Sequence, residues 1–371
     1  MAYFVRDTGS SLTPTQHSKN IFSEYLKMMY LKDMMGKKGS GKPIIIDDQL
    51  KGQAGDTLRF HFIPQNKTDG ISGQDVSLEG NEDSLDEYYM DIKVDVLGKA
   101  FRKKGKMTDQ RTIWNIRNEF KSQLTRWFAQ NSENRLIWAL TGVLDSTTFN
   151  TTTWTSATDT TDLVYGKNRC IRADGSTSYA MVQPASGNTG VVASSDNTAL
   201  AAAMTSADKM STALIEAAVI AAKEEDPYKI TPVRASNGEE YFILMLDLRS
   251  ARDLRSDPNW KNHKLSIVEA GIDPKKDPFA TGALGIWDNV IIKKNERIVR
   301  FGTSGTMYAR NLLLGADACV LEYVEKLDYT EKMFDYDREL GCAAQEIRGQ
   351  KKVRFDDGVD MNVMQVITAS N

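Results

Sequence analysis

The chain has 371 residues, 41% of them hydrophobic and 26% charged, with a formal net charge of −3. That balance supports real apolar cores in a soluble protein of one or two domains and excludes a nucleic-acid polycation. The three cysteines (Cys170, Cys319, Cys342) lie far apart with no CxxC spacing, which argues against a zinc site or a disulfide framework, and Cys319 and Cys342, in apolar surroundings, read as small core residues.

Residues 1–17 are polar and unpatterned, as expected of an extended arm. The opening MAYFVRDTGSSL lacks the apolar core of a signal peptide. The longest near-apolar run, Ala213–Ala222, is interrupted by Glu216 and falls far short of the ~20 residues a membrane span needs. The chain is therefore expected to be made in the cytoplasm and to stay soluble, with no membrane partner. The sequons at Asn66 and Asn150 are then coincidences. From Ser18 the apolar residues Ile21, Phe22, Tyr25, Met28, Met29 and Met35 recur at helical spacing, and Gly36 is placed to stop that helix. Lys37–Pro43 reads as a Gly/Lys linker and Ile44–Ile46 as a short strand.

Thr57–Ile63 alternates, with Leu58, Phe60 and Phe62 on one face and Arg59 and His61 on the other, and Pro64 ends it. Tyr88, Met90, Ile92, Val94 and Val96 alternate in the same way, so the two strands are expected to pair. The stretch between them is longer than the ~12–15 residues of an ordinary loop, and a lone two-stranded ribbon is marginal in water. Such a ribbon needs a neighbour. Thr108–Thr141 then carries the strongest helical pattern, with Ile113, Ile116, Phe120, Leu124, Trp127, Phe128, Leu136 and Leu140 as its stripe. Thr108 is placed as N-cap and Gly142 as stop, for a helix of roughly 50 Å.

Leu144–Asn197 is Thr/Ser/Gly-rich and reads as irregular. Ser206–Lys223 is an Ala-rich helix, Tyr241–Leu246 a buried strand, and Ser250–Arg255 a helix stopped by Pro258. Val290–Lys294 and Ala318–Val324 read as strands, Lys332–Gln350 mixes charge with small apolar residues, and Lys351–Ile367 is strand-rich. The fold class is α+β.

Charge is distributed unevenly. Pro64–Asp95 holds nine Asp/Glu against two Lys, whereas Gly98–Arg135 holds ten Lys/Arg against three Asp/Glu. This points to one copy laying its acidic ribbon on the basic helix region of the next. The ribbon would contribute Leu58, Phe60, Phe62, Met90 and Ile92 as apolar contacts, and Asp69, Asp75, Glu79, Glu82, Asp83, Asp86 and Glu87 as charges. The receiving region would contribute Arg102, Lys103, Lys104, Lys106, Arg111, Arg117, Lys121 and Arg126. Residues 1–55 are mildly basic, eight Lys/Arg against five Asp/Glu. A solvated surface is the plainer reading of that excess, with a weak attraction to DNA as the alternative.

Catalytic chemistry is not evident. Gly36–Pro43 has the GxxxxGK spacing of a phosphate-cradling loop, but Pro43 stands at the hydroxyl position and a helix rather than a strand precedes it, so a flexible basic linker is the better reading. His17, His61 and His263 show no convergent spacing. Carboxylates such as Asp335 and Asp337 read as solvated charges, and no nucleophile elbow or dinucleotide fingerprint occurs. No enzyme activity, catalytic residue, cofactor or metal is expected.

Five stretches, in order, resemble the major capsid proteins of tailed bacteriophages within the HK97-like fold group, in the branch of podophage N-four. They are GDTLRFHFIP, ISGQDVSLEGNEDSL, DPFATGALGIWDNVIIKKNERI, NLLLGADACVLEY and EKMFDYDRELGCAAQEIRGQKKVRFD. Together they span most of the chain, with least similarity over residues 144–197. The resemblance implies an N-terminal arm (1–55) and an extended β-hairpin loop (56–97). It further implies a peripheral domain (98–200 and 336–371, with a spine helix over 108–141) and an axial domain (201–335). It implies hexamers and pentamers in an icosahedral head around double-stranded DNA, with a portal protein, a scaffolding protein and a decoration protein as partners. The N-terminus is too short to hold an internal scaffold, so scaffolding is expected from a separate chain. The Lys–Asn crosslink of some relatives has no matching motif here. The rival readings are an encapsulin-like nanocompartment shell and a cytoplasmic hydrolase built on the Thr/Ser-rich middle.

Overall fold

The structure is a computed structural model. It describes residues 22, 24–49, 55, 57–62, 72, 79, 82, 87–111, 115–142, 163–164, 169–175, 178–181, 191–192, 204–224, 229–234, 238–262, 283–303, 306–336, 338–354 and 360–370. In chain order the main strands begin with β1 (Ile44–Asp47), β2 (Thr57–Phe62), β3 (Tyr88–Lys93), β4 (Asp95–Arg102) and β5 (Cys170–Asp174). They continue with β6 (Glu240–Leu246), β7 (Val290–Lys294), β8 (Thr306–Leu314), β9 (Cys319–Phe334), β10 (Glu339–Lys352) and β11 (Val363–Ala369). The main helices are α1 (Lys106–Arg111), α2 (Ile116–Thr141), α3 (Thr212–Glu224) and α4 (Leu248–Ser256).

Two sheets enclose α2. The first is a five-stranded sheet ordered Met35–Gly36, β1, β9, β10, β4. Its backbone is the β9–β10 hairpin, in register from Cys319 opposite Lys352 to Phe334 opposite Glu339, with shifts between Tyr323 and Asp328. The second sheet runs Ala283–Trp287, β7, β6, β8, β11, β5, Ser178–Met181. Its central strands β6, β7 and β11 are buried on both faces, as strands covered on both sides must be. Alternate residues sort accordingly. Ile243, Met245, Leu312, Leu314, Val363 and Ile367 join the core that holds Leu124, Phe128, Leu136 and Leu140 of α2. Phe242, Leu244, Leu313, Met364 and Val366 pack instead under α3 and α4.

Several elements follow the sequence closely. β1, β6 and β7 lie where expected, β2 pairs antiparallel with β3 from Thr57–Lys93 to Phe62–Tyr88, and Gly142 ends α2 at φ 87°. Others differ, for local reasons. The N-terminal helical segment stops at Met28, Tyr30–Met34 tightens into a 3₁₀ turn, and Met35–Gly36 is a strand beside Ile44–Ile45, so Gly36 does not cap a helix. The long helix is divided. Asn115 is extended and its side chain accepts the Arg117 N–H, so α2 starts there, α1 stands apart, and α2 spans about 39 Å. Asp257 accepts the Thr212 N–H and so fixes the start of α3, six residues later than the pattern suggests. The strand at Ala318 extends to Phe334, and its partner β10 lies within the segment read as mixed.

Candidate functional site

The ribbon is anchored at its base. Leu58, Phe60, Met90 and Ile92 are buried together with Ile45, Val320 and Val353 of the first sheet region. The expectation that these four side chains supply apolar contact to a sister molecule is thereby corrected: their face is closed by their own chain, because β2 and β3 lie against β1 and β9. Lys351 Nζ donates to the Asp91 carbonyl at 3.1 Å, and a Cβ at Gly349 would stand 3.0 Å from both Ile92 Cγ2 and Val94 Cγ1. The side chain of Phe62 lies outside the described residues.

The opposite face of the ribbon is polar and exposed. Arg59 donates from Nε and a terminal nitrogen to the two Asp91 oxygens at 2.8 and 3.1 Å, and stacks on the Tyr89 ring at 4.4 Å. That hydrogen bond holds the Asp91 carboxyl below the usual carboxylate range. His61 Nδ1 lies 2.8 Å from the Glu87 carboxylate. Glu79 and Glu82 are exposed, while Asp69, Asp75, Asp83 and Asp86 lie outside the described residues.

The basic residues gather at the far end of the ladder. β4 runs antiparallel along β10 from Asp95 opposite Arg348 to Arg102 opposite Gly341. Its eight residues carry the chain about 26 Å from the ribbon base to the closed end of the hairpin. There the Lys103 N–H donates to the Leu340 carbonyl at 2.8 Å, and Lys104 and Arg111 are exposed. Arg102 bonds Glu339 at 2.7 Å and lies over the Phe334 ring at 4.3 Å. Arg117 forms a two-pronged pair with Glu331, one prong at 2.8 Å, and Tyr329 donates to the same carboxylate. Arg102 and Arg117 are thus committed within the chain. Beside them stand the N-terminus of α2, where the helix dipole is positive, and the exposed side chains of Met107, Met333 and Tyr336. Lys106 lies in α1, its side chain outside the described residues. Lys121 is half-buried along α2. Arg126 sits apart from this pole, lining an open groove of about 340 Å³ with Met28, Gln130, Glu133 and Arg297.

The middle of α2 holds buried polar residues that the apolar pattern does not reveal. Ser132 is wholly buried and Glu133 nearly so. The Tyr25 hydroxyl meets Ser132 Oγ at 2.7 Å and the Tyr323 hydroxyl at 3.0 Å, and Arg348 donates to Ser132. Glu133 accepts from the Tyr30 N–H and pairs with Arg297 at 3.0 Å. Burial pushes the carboxyls of Glu133 and Glu346 up, and burial beside Arg348 pulls Arg135 down to about 10. This socket fastens the N-terminal segment to the spine. Its signal in the sequence is the run Gln130–Asn134, five polar residues inside an apolar-striped helix.

The Gly36–Pro43 loop joins two paired strands and no helix follows it, so it lacks the geometry of a nucleotide cradle. Among the described residues no group of His, Cys, Asp or Glu is placed to hold a metal ion, and no helix is long and apolar enough to cross a membrane. Burial pushes the Cys170 and Cys319 thiols up to about 12, which leaves them unreactive.

The family model described as phage capsid protein matches residues 7–370. The chain belongs to the phage capsid protein family. This phage capsid protein is 28% identical to the major capsid protein of Pseudomonas phage KPP25, over 81% of its own length and 80% of that protein. Its fold matches the capsid of Ralstonia phage GP4 at a TM-score of 0.73 with 23% identity, covering 92% of this chain and 91% of the other. The cyanophage Pam1 capsid matches at 0.68 with 21% identity over 100% and 99% of the two chains. The capsid protein therefore has the HK97-like α+β fold, is a structural protein that oligomerises into a shell, and is a component of the virion.

Proposed function

We propose that this protein is the major capsid protein of a tailed double-stranded DNA bacteriophage and builds the icosahedral head as hexamers and pentamers. One observation carries the mechanism: β2 and β3, the strands that bracket the acidic segment, are anchored at the open end of the ladder, while the basic pole of Lys103, Lys104, Lys106 and Arg111 lies at its closed end. Two complementary surfaces at opposite ends favour head-to-tail contact between copies, the arrangement that closes rings. Exposed ion pairs contribute only ~0–1 kcal/mol each, so the charges set direction and register. Burial of Met107, Met333 and Tyr336 at the pole supplies affinity at about 25 cal/mol per Å².

By sheet membership, the five-stranded sheet with α2 forms the core of the peripheral domain, and the larger sheet with α3 and α4 that of the axial domain. β9 then goes with the peripheral part, and β5 and β11 with the axial part. The remaining partners are a separate scaffolding protein, a portal protein, a decoration protein and, weakly, the packaged DNA. The phage relatives favour this reading over a cargo-enclosing nanocompartment. Electron microscopy of the chain expressed with the scaffolding protein of the same phage should show uniform closed heads, and of the chain alone aberrant shells or none. A small monodisperse oligomer under both conditions would refute it.

A further inference from the structure

One motif of the sequence lies outside the surfaces proposed for contact between copies, the loop Lys37-Lys38-Gly39-Ser40-Gly41-Lys42-Pro43. It is a built turn. Gly39 and Gly41 hold φ of 80° and 67°, which residues with a Cβ rarely adopt, and the Ser40 N–H donates to the Lys37 carbonyl at 3.0 Å. The loop is tied down from beneath, where Asp317 and Ala318 donate their N–H groups to the Lys42 and Pro43 carbonyls at 2.9 and 2.7 Å. Lys37 and Lys38 are exposed, Lys38 with its ammonium 4.4 Å from the centre of the Phe60 ring, and Lys42 is half-buried. Exposed Lys32 precedes it, and Arg234, with three quarters of its side chain exposed, belongs to the strand that passes Gly41.

The acids nearby do not balance these cations. Asp317 interacts with Lys38, Glu240 pairs with Arg234 at 3.3 Å, and Asp33 lies near the buried Lys293. Lys32, Lys37, Lys38, Lys42 and Arg234 thus stand as five cations beside Asp33, Glu239, Glu240 and Asp317, on a protein whose overall charge is negative. A nucleotide does not fit, because Pro43 removes a donor and, among the described residues, no helix follows the loop to point its dipole at it. A repeating polyanion does fit. A shell presents the same loop in every copy, so contacts too weak to matter singly act together on one long ligand.

We propose that this loop is the shell's contact for the phosphate backbone of packaged duplex DNA, made without regard to base sequence. The proposal rests on the capsid reading above. Its test measures binding of a 30-base-pair mixed-sequence duplex to the purified, unassembled full chain by fluorescence anisotropy across a salt series. Each phosphate contact adds about 0.9 to the slope of log affinity against log salt. The triple variant Lys37→Gln, Lys38→Gln, Lys42→Gln should therefore lose about 2.7 from that slope. Between 50 and 200 mM salt the unaltered chain should then weaken about 40-fold more than the variant. Lys→Arg at the same three positions should keep the slope, because charge and not side-chain shape is read. An unchanged slope in the Gln variant, or no duplex binding by the unaltered chain at 50 mM salt, would overturn the proposal. So would loss of shell formation in the Gln variant, which would make the loop an assembly contact. Failure of the unaltered chain to form shells is a separate result and refutes the capsid reading instead.

Discussion

Nε of Arg348 lies 3.1 Å from Oε1 of Glu346, and neither side chain touches solvent. The two residues stand two apart on β10 and share a face. Around them close Tyr25 from the N-terminal segment, Ser132 from α2 and Tyr323 from β9. Three separate parts of the chain are registered on this pair. A buried pair adds little net stability but is costly to break, since removing one partner strands the other charge at ~3–5 kcal/mol. Arg348→Met should therefore lower the unfolding free energy of the unassembled chain by about that much. The double variant Arg348→Met, Glu346→Leu should recover most of it. Equal losses for the single and double variants in chemical denaturation would show that the two residues do not act as a unit.

Lys352 makes a second buried pair, 2.8 Å from Asp360, and desolvation pulls its ammonium down to about 8. The folded chain thus releases this proton before the unfolded chain does. Between about pH 8 and the ordinary lysine value of ~10.4 the unfolded state holds more protons, so Lys352 makes stability rise with pH, by on the order of 3 kcal/mol in all. The Cys170 and Cys319 thiols, raised to about 12, oppose it, because the folded chain keeps those protons as pH rises above ~8.5. The informative quantity is the stability of the unaltered chain minus that of Lys352→Met, which should climb across that window. A flat difference would place Lys352 in contact with water.

Complementary reversal tests the direction of assembly. Asp75, Glu79, Glu82 and Asp83 changed together to Lys should stop shell formation and leave a folded subunit, and Lys103, Lys104 and Arg111 changed to Glu should do the same. Both sets in one chain should restore shells, visible by negative-stain microscopy and sedimentation. Normal shells from either set alone would sink the pairing.

Gly349 offers a way to loosen the ribbon without touching its charges. Any Cβ there meets Ile92, Val94 and the Lys93 carbonyl. Gly349→Ala should displace the ribbon base at a cost of ~1–3 kcal/mol, the usual range for overpacking. Hydrogen exchange should then quicken in β2 and β3 while β6 and β11 stay protected. Uniformly faster exchange would mean that the ribbon base and the core open together.

The ribbon was legible because Leu58, Phe60, Met90 and Ile92 alternate cleanly, and Gly142 because a glycine after a long apolar stripe has few other uses. Pattern alone could not show where that apolar face goes, since burial against one's own sheet and against a neighbour demand the same residues. The β9–β10 ladder was largely hidden. Its register shifts between Tyr323 and Asp328 break the alternation, and Glu322, Glu346 and Arg348 are charged residues at fully buried positions. The division of the long helix was invisible for a subtler reason: Asn115 acts through a side-chain bond to Arg117 that leaves no trace in hydrophobic spacing. The loop Lys37–Pro43 was legible as a basic turn, but its neighbour Arg234 comes from a segment almost two hundred residues away.

The length of the β9–β10 ladder acquires a meaning if its two ends are the docking surfaces. Fifteen residue steps from Cys319 to Phe334 make a rigid ruler of about 50 Å, and the separation between one copy's donor end and its receiving end is set by that count. Inserting two residues in each strand would lengthen the ruler by about 6.6 Å while every side chain kept its face. Capsomer diameter, and with it the volume of the head, would then be written in the number of rungs of a single hairpin.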